Sequence, residues 1–542
     1  MRILFDRRKL EWYNISTCFY EVIAVKSVLT RILSLTLCLA MVFPLFSLRV
    51  LGQEENTIAQ QLSVGETLTD YTGFSYIGNI FDGYETSGAT SSGPATLTLE
   101  HNGGIGSLYF IFVTEYGSYT VTDNVTGQVH TCGEENFLHD FLDLEAAFGT
   151  APTSVTVHFD TGSVSILELY AYSSGQVPDT VQKWQQPEEG KMDIVLFSTH
   201  GDDEHLFFAG ILPYYAVELD YEVLVVYFTD HRNDTLDRVH EMLNGLWAVG
   251  VTNYPVLGSY PDLLRKSRDE VYGALQSLGW SKEELQGYVV EQLRRFKPKV
   301  IVAHDFNGEY GHAQHKVYAD LVAKALEVSN DPAAYPELAE KYGVWDVPKA
   351  YFHLYEENPV VIDWDRPLES FGGMTAFGVS KHLGFLSHKS QVKSFWYWIG
   401  PYEKAGDIPW YSPCYFGLYR STVGADLEKN DFFENVTSYA QDRAAEEARL
   451  AEEARLAEEQ RLKEEEQARQ EAQAKAEAEQ KAREEEQKRK QELEEQQRLR
   501  AEEEARLAAE AAAKKNRILI ITGIVSGITV FAVIYVIWRR KK

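Results

Sequence analysis

Two apolar segments, Asp193–Phe197 and Lys299–Ala303, each run straight into a crowd of ionisable side chains. The first continues through Thr199 into His200-Gly201-Asp202-Asp203-Glu204. The second continues as His304-Asp305-Phe306-Asn307-Gly308-Glu309-Tyr310-Gly311-His312-Ala313-Gln314-His315. Segments so short and so rich in strand formers read as strands. One imidazole and three carboxylates within five residues repel one another unless a cation lies among them. A divalent metal is the simplest explanation. The carboxyl ends of strands are also where open α/β sheets place their chemistry.

The surrounding pattern alternates strands with helices. Glu222–Thr229 is a further strand, and a helix from about Asp234 carries Leu236, Val239, Leu243 and Leu246 on one face until Gly250 stops it. Ser267–Glu270 and Ser281–Glu284 both read as capping boxes that open helices. Leu285, Val289, Leu293 and Phe296 line one face of the second helix, and Pro298 ends it. The alternation predicts an α/β domain over 190–435, with a parallel sheet covered by helices on both faces. Its aromatic-rich part, 355–435, completes the domain and walls the site. Residues 57–175 differ: Ala95–Leu99, Ser107–Val113, Ser118–Thr122, Ser154–Phe159 and Ser165–Tyr172 alternate and are separated by turn residues. Short strands at that spacing predict a β-sandwich. A polar linker, 176–190, follows it.

The ends of the chain point to a membrane. Residues 28–51 are apolar and follow Arg7, Arg8, Lys9 and Lys26, so 1–52 reads as a secretory signal. Residues 440–515 are almost all Ala, Glu, Arg, Lys, Gln and Leu, with Glu-to-Arg/Lys pairs at helical spacing. This predicts a long, charged, solvated helical stalk, with weak self-association as a coiled coil the alternative. Residues 518–538 carry no charge and precede Arg539-Arg540-Lys541-Lys542, as a transmembrane helix with a cytoplasmic stop would. Together these place a single-pass protein in the cell membrane with its folded domains outside. The net charge of −29 argues against nucleic acid as a partner. Of four cysteines only Cys132 and Cys414 fall in the folded domains, so no disulfide framework is expected.

A catalytic zinc site takes three protein ligands and leaves a position for water, and hydrolysis needs a further carboxylate free to accept a proton. The two polar clusters supply both. With their spacing, they resemble the PIG-L/LmbE-like N-acetylglucosamine deacetylases over roughly 190–425. The resemblance implies a Rossmann-like catalytic domain and zinc, with another divalent metal the alternative. It implies that His200, Asp203 and His315 bind the metal and that Asp202 is the general base. His312 would stabilise the oxyanion or protonate the leaving amine, helped by Tyr310. Arg238, in an Arg-x-x-Glu pair with Glu241, and Asp262 would contact the substrate.

The run from Asp82-Gly83-Tyr84 to Tyr170-Ala171-Tyr172 resembles the galactose-binding-like, discoidin-type jelly roll. That implies carbohydrate binding, with a spacer role the alternative. Two residues depart from the deacetylase pattern. Gly201 stands where the family has Pro, which implies a looser loop. Gln314 replaces an Asp between the histidines, which implies changed support for a ligand. His231 flanks the site, His304 and Asp305 hold its loop, and His205 reads as a wall more than a ligand. His388-Lys389-Ser390-Gln391 resembles a late family segment with no role to assign. The implied function is zinc-dependent removal of acetyl groups from N-acetylated sugars of a cell-surface or extracellular glycan. The alternative is a surface glycan-binding protein with a degenerate catalytic domain.

Overall fold

A computed structural model of the 542-residue chain describes residues 57–134, 137–233 and 236–541. The expected signal, 1–52, lies outside them. Residues 57–175 form a nine-stranded sheet in which every named strand pair is antiparallel. Cys132 and Leu142, from the strands at opposite ends of the sheet order, belong to one apolar core. The sheet therefore closes around its own interior. The expected strands appear, two of them as Ser154–Phe159 and Ser165–Tyr172. Leu68–Ser75 and Val129–Cys132 were not expected, because both are largely exposed and polar and show no alternation to read.

The second sheet has seven strands. They are β1 (Ile194–Ser198), β2 (Val223–Thr229), β3 (Val256–Tyr260), β4 (Val300–Ala303), β5 (Lys349–His353), β6 (Pro359–Val361) and β7 (Tyr415–Ser421), in the order β3-β2-β1-β4-β5-β7-β6. The first five pair in parallel and the last two are antiparallel. The order reverses between β1 and β4. Phe197 pairs with Ala303, so these two strands end level and their loops leave the sheet side by side.

Alternation along β1 decides which core each side chain enters. Ile194 and Leu196 join Leu206–Leu212 and, from helix α1 (Leu236–Ala248), Val239, Leu243 and Leu246. Val195 and Phe197 join the opposite core with helices α2 (Arg268–Ser277), α3 (Lys282–Phe296) and α4 (Ala313–Val328). On α3, Leu285, Val289, Leu293 and Phe296 are all fully buried. Each contributes about 1.5–3 kcal/mol of transfer free energy. The Ser281–Glu284 capping box is complete, with side chain and backbone bonded both ways. The Ser267 box is only half made. Its hydroxyl accepts from Glu270, but the Glu270 carboxylate takes the N–H of Lys266 instead.

Residues from Gln441 onward form a separate unit. A single helix runs over Tyr439–Arg539, and no residue of it is buried. Its charged part is laced by i,i+3 and i,i+4 pairs such as Glu452–Arg455 and Glu459–Lys463. Leu450, Leu456 and Leu462 are half exposed. Among the described residues this is the one helix long and apolar enough to cross a membrane. Cys132 and Cys414 are both free and buried.

Candidate metal centre and active site

The loops after β1 and β4 bring three donor atoms to one point. His200 Nδ1 lies 3.1 Å from Asp203 Oδ2 and 3.2 Å from His315 Nε2, and the latter two are 3.2 Å apart. Ligands of a tetrahedral zinc at about 2.1 Å stand about 3.4 Å from one another. All three residues are buried. The Nδ1–H of His315 donates to Glu309 Oε2 at 2.7 Å, which leaves Nε2 as a lone pair. The Nε2 of His200 faces Asp262 Oδ1 at 3.3 Å, which leaves Nδ1 for the centre.

Two imidazole lone pairs and a carboxylate converging on one point repel unless a cation joins them. Burial alone lowers the two imidazole pKa values, but Asp203 outweighs it and holds His200 at about 10 and His315 at about 9. Burial raises Asp203, yet His315 and His200 bring it well below the usual carboxylate range. The donor set therefore fits a divalent metal, and the surrounding field demands positive charge at that place.

Two other triads, His200–His312–His315 and Asp203–His304–His315, have the spacing of metal ligands. Hydrogen bonding distinguishes them from the first. His304 Nε2 accepts the N–H of Thr199 at 2.9 Å, and its Nδ1 bonds Glu309 at 2.8 Å, so neither nitrogen is available. His312 Nδ1 accepts the N–H of Gln314 at 3.3 Å, which puts the ring proton on Nε2. Burial, then His315 and His200, push this imidazole down to about 3, so it is neutral. It stands beside the triangle as an N–H donor, its ring centroid 4.9 Å from that of His200.

Asp202 is buried and outside the triangle. Its Oδ2 lies 3.6 Å from Nη1 of Arg238 on α1. Burial raises its pKa and the Arg238 guanidinium opposes that. Tyr310 has a φ of 45°, in the left-handed region that disfavours a bulky residue. Such strain persists where the surroundings impose it. Here the ring lies 5.4 Å from His312 and 4.7 Å from Trp398, centroid to centroid. Asp262, in the loop after β3, is partly exposed next to His200. All the site residues expected from sequence thus meet at the carboxyl ends of β1, β3 and β4 and on α1.

Residues 195–326 match the family model described as PIG-L, GlcNAc-PI de-N-acetylase. This stretch is a PIG-L family domain. A curated relative from Streptomyces avermitilis, 1D-myo-inositol 2-acetamido-2-deoxy-alpha-D-glucopyranoside deacetylase, is 24% identical over 290 residues, which are 45% of this chain and 97% of its own length. A relative of that description (deacetylase 2) from Saccharopolyspora erythraea is 39% identical over 71 residues, 13% of this chain and 25% of its own. The solved N,N'-diacetylchitobiose deacetylase from Pyrococcus horikoshii aligns at 16% identity, over 43% of this chain and 85% of its own, with a TM-score of 0.31.

The PIG-L domain explains both of its departures from the family pattern. Gly201 does not loosen its loop, contrary to expectation. Its N–H donates to His231 Nε2 at 2.8 Å, a bond that proline cannot make. A Cβ at this position would lie 3.0 Å from Met242 Cγ, so α1 already fills the space. Gln314 supports a loop and not a ligand. Its Oε1 accepts from the N–H of Leu263 at 2.8 Å and its Nε2 donates to the Pro261 carbonyl at 2.9 Å. An ionised Asp could not do both. Gln314 thereby pins the segment that carries Asp262. Support for His315 comes from Glu309.

Glu309 and His353 are the residues that sequence reading missed. Glu309 is fully buried and bonds His304 and His315 through Oε2 and His353 through Oε1. His353 also bonds the Ser412 carbonyl. A histidine closing the apolar strand β5 was the available signal. Glu241 anchors the late motif, accepting from the N–H and hydroxyl of Ser390 at 2.6 and 2.5 Å. A cleft of about 230 Å³ opens beside His231 and Arg232, with Glu115 and Phe137 of the first domain on its far side. The aromatic residues divide: Trp364 and Phe416 are core, whereas Trp398 lies tilted against Phe207 and Tyr310 next to the candidate ligands.

Proposed function

We propose that this chain is a zinc-dependent amide hydrolase that removes acetyl groups from N-acetylated sugars. One observation carries the reading. Three donor atoms converge with metal-ligand spacing, while the adjacent Asp202 is left out of the set and turned toward Arg238. The relatives' activity on acetamido sugars supports the same reaction class.

Bound by His200, Asp203 and His315, the metal supplies Lewis acidity to the acetamide carbonyl and acidifies water. Asp202 accepts a proton from the attacking water. Burial raises the pKa of that carboxylate, which suits a proton acceptor, and Arg238 opposes the rise. His312 presents its Nε2–H to the oxygen that gains charge, as an oxyanion-hole donor does. With Nδ1 taken by the N–H of Gln314, the His312 ring is fixed as a hydrogen-bond donor. Asp202 therefore returns its proton to the nitrogen as the C–N bond breaks, giving acetate and the free amine. Tyr310 and Asp262 flank the sugar. Arg238, whose Nη1 is buried 3.6 Å from Asp202, acts on the substrate through that carboxylate.

We read the second sheet as Rossmann-like, from its parallel core and its order reversal at β1 and β4. The first sheet is read as a galactose-binding-like jelly roll that walls the cleft beside His231 and offers a surface for glycan. An N-terminal signal and the apolar end of the C-terminal helix would hold both domains outside the cell. The charged part of that helix would serve as a stalk of about 110 Å. The substrate is then an exposed glycan.

Acetate release from a panel of N-acetylated oligosaccharides tests the reading, on full-length protein in detergent. Release should be abolished by chelator and restored by zinc. Chelator-insensitive release, or none from any member of the panel, would overturn it.

A further inference from the structure

A second group of buried ligand-type side chains lies one residue beyond the triangle. Glu204, His205 and His388 are each 0% exposed. Nε2 of His205 and Nε2 of His388 both lie 3.5 Å from Glu204 Oε1, and the three donors have metal-ligand spacing. None of them is hydrogen-bonded. Glu204 Oε1 and all four imidazole nitrogens are buried without a partner. An unpaired buried polar atom is destabilising. One cation can take three of these five atoms, Glu204 Oε1 and one nitrogen from each ring.

The fold keeps space there. Gly245 sits inside α1, where glycine is less favourable than alanine. A Cβ at Gly245 would lie 2.8 Å from His388 Nε2 and 2.9 Å from His205 Nε2. A Cβ at Gly384 would lie 2.4 Å from His205 Nδ1. Gly245 thus leaves room beside both Nε2 atoms and Gly384 beside the other edge of the His205 ring, and the Gly384 carbonyl stands 3.2 Å from the Gly245 position.

We propose that Glu204, His205 and His388 hold a second divalent cation of the zinc class, in a buried three-ligand site. Two imidazoles and one carboxylate are the donors such an ion takes. The other oxygen of Glu204, Oε2, accepts the N–H of Asp202 at 3.0 Å. His388 opens the helix Lys389–Ile399, whose Ser390 is bonded to Glu241 on α1. The ion therefore ties the β1 loop to that helix and fixes the backbone that carries Asp202. It gives the late motif around His388 its role.

Metal counting tests this, by mass spectrometry on full-length protein purified in detergent and supplied with zinc. The wild type should hold two equivalents per chain, and His388→Gln, His205→Gln and His315→Gln one each. One equivalent in the wild type, or two retained in His388→Gln, overturns the second site; a trapped water would give the first result. A count that falls in His388→Gln but not in His315→Gln supports this site and removes the metal reading of the first. Variants of buried residues can fail to fold, so stripped wild-type protein is also titrated with Co²⁺. Two saturable phases of visible absorption are expected, and a single phase overturns the proposal.

Discussion

Two buried glutamates flank the metal triangle, and the fold treats them in opposite ways. Glu309 is surrounded by His304, His315 and His353, all bonded to it, and is held well below the usual carboxylate range by them against its burial. Glu204 is surrounded by His205 and His388, neither bonded to it, and burial raises it instead. The residue types are the same and so is the depth. The difference lies in what each carboxylate is given to hold. A buried charge is kept either by fixed donors or by an ion. Glu309 has the donors, and so orients a ligand. Glu204 has the Asp202 N–H on Oε2 but no hydrogen bond on Oε1, and so reads as a ligand itself.

Glu309→Gln should have the largest effect on this contrast. It removes the charge that three histidines share and puts an amide donor among N–H groups. Metal affinity at the triangle should fall about 10- to 100-fold. Unfolding free energy should fall by about 3–5 kcal/mol, the cost of breaking a buried charged pair. A denaturant midpoint and a zinc titration on the same preparation check both. Unchanged affinity would mean that Glu309 does not orient His315.

Gly201→Pro is the next test. It restores the family's usual residue but removes the N–H bonded to His231 and presses on Met242. A loss of about 1–3 kcal/mol is expected. A stabilised variant would show that the loop is not pinned there.

The smallest effect concerns Glu168 in the first domain, a third buried carboxylate, with neither donors nor imidazoles around its Oε1. Burial, then Asp82, push it up to about 7. A carboxyl raised on folding contributes stability below its ordinary value, and loses it as pH rises through about 7. Glu168→Gln should therefore raise the melting temperature at pH 8 and leave it nearly unchanged at pH 4. Equal shifts at both pH values would contradict the assignment.

Much of this was legible because it is local. β1 and β4 announce themselves as apolar runs that end in ligand-type residues, and α3 shows its buried face at helical spacing. What was not legible depends on strand order. Glu309 meets His353 only because β5 pairs with β4. The Glu204 cluster needs the segment at His388, far along the chain, to fold back on α1. Gly201 read as a loosening because its N–H partner and its Met242 neighbour come from β2's end and from α1. The exposed edge strands of the first sheet carried no pattern, since neither of their faces had to be apolar.

The central claim is that His200, Asp203 and His315 hold the metal while Asp202 does the proton work. Asp202→Asn separates the two, assayed for zinc content and acetate release on one preparation beside His315→Gln. The account predicts that Asp202→Asn keeps its full zinc content while acetate release falls about 10²- to 10⁴-fold, and that His315→Gln loses one zinc equivalent and its activity together. An Asp202→Asn protein that releases acetate at the wild-type rate would contradict it.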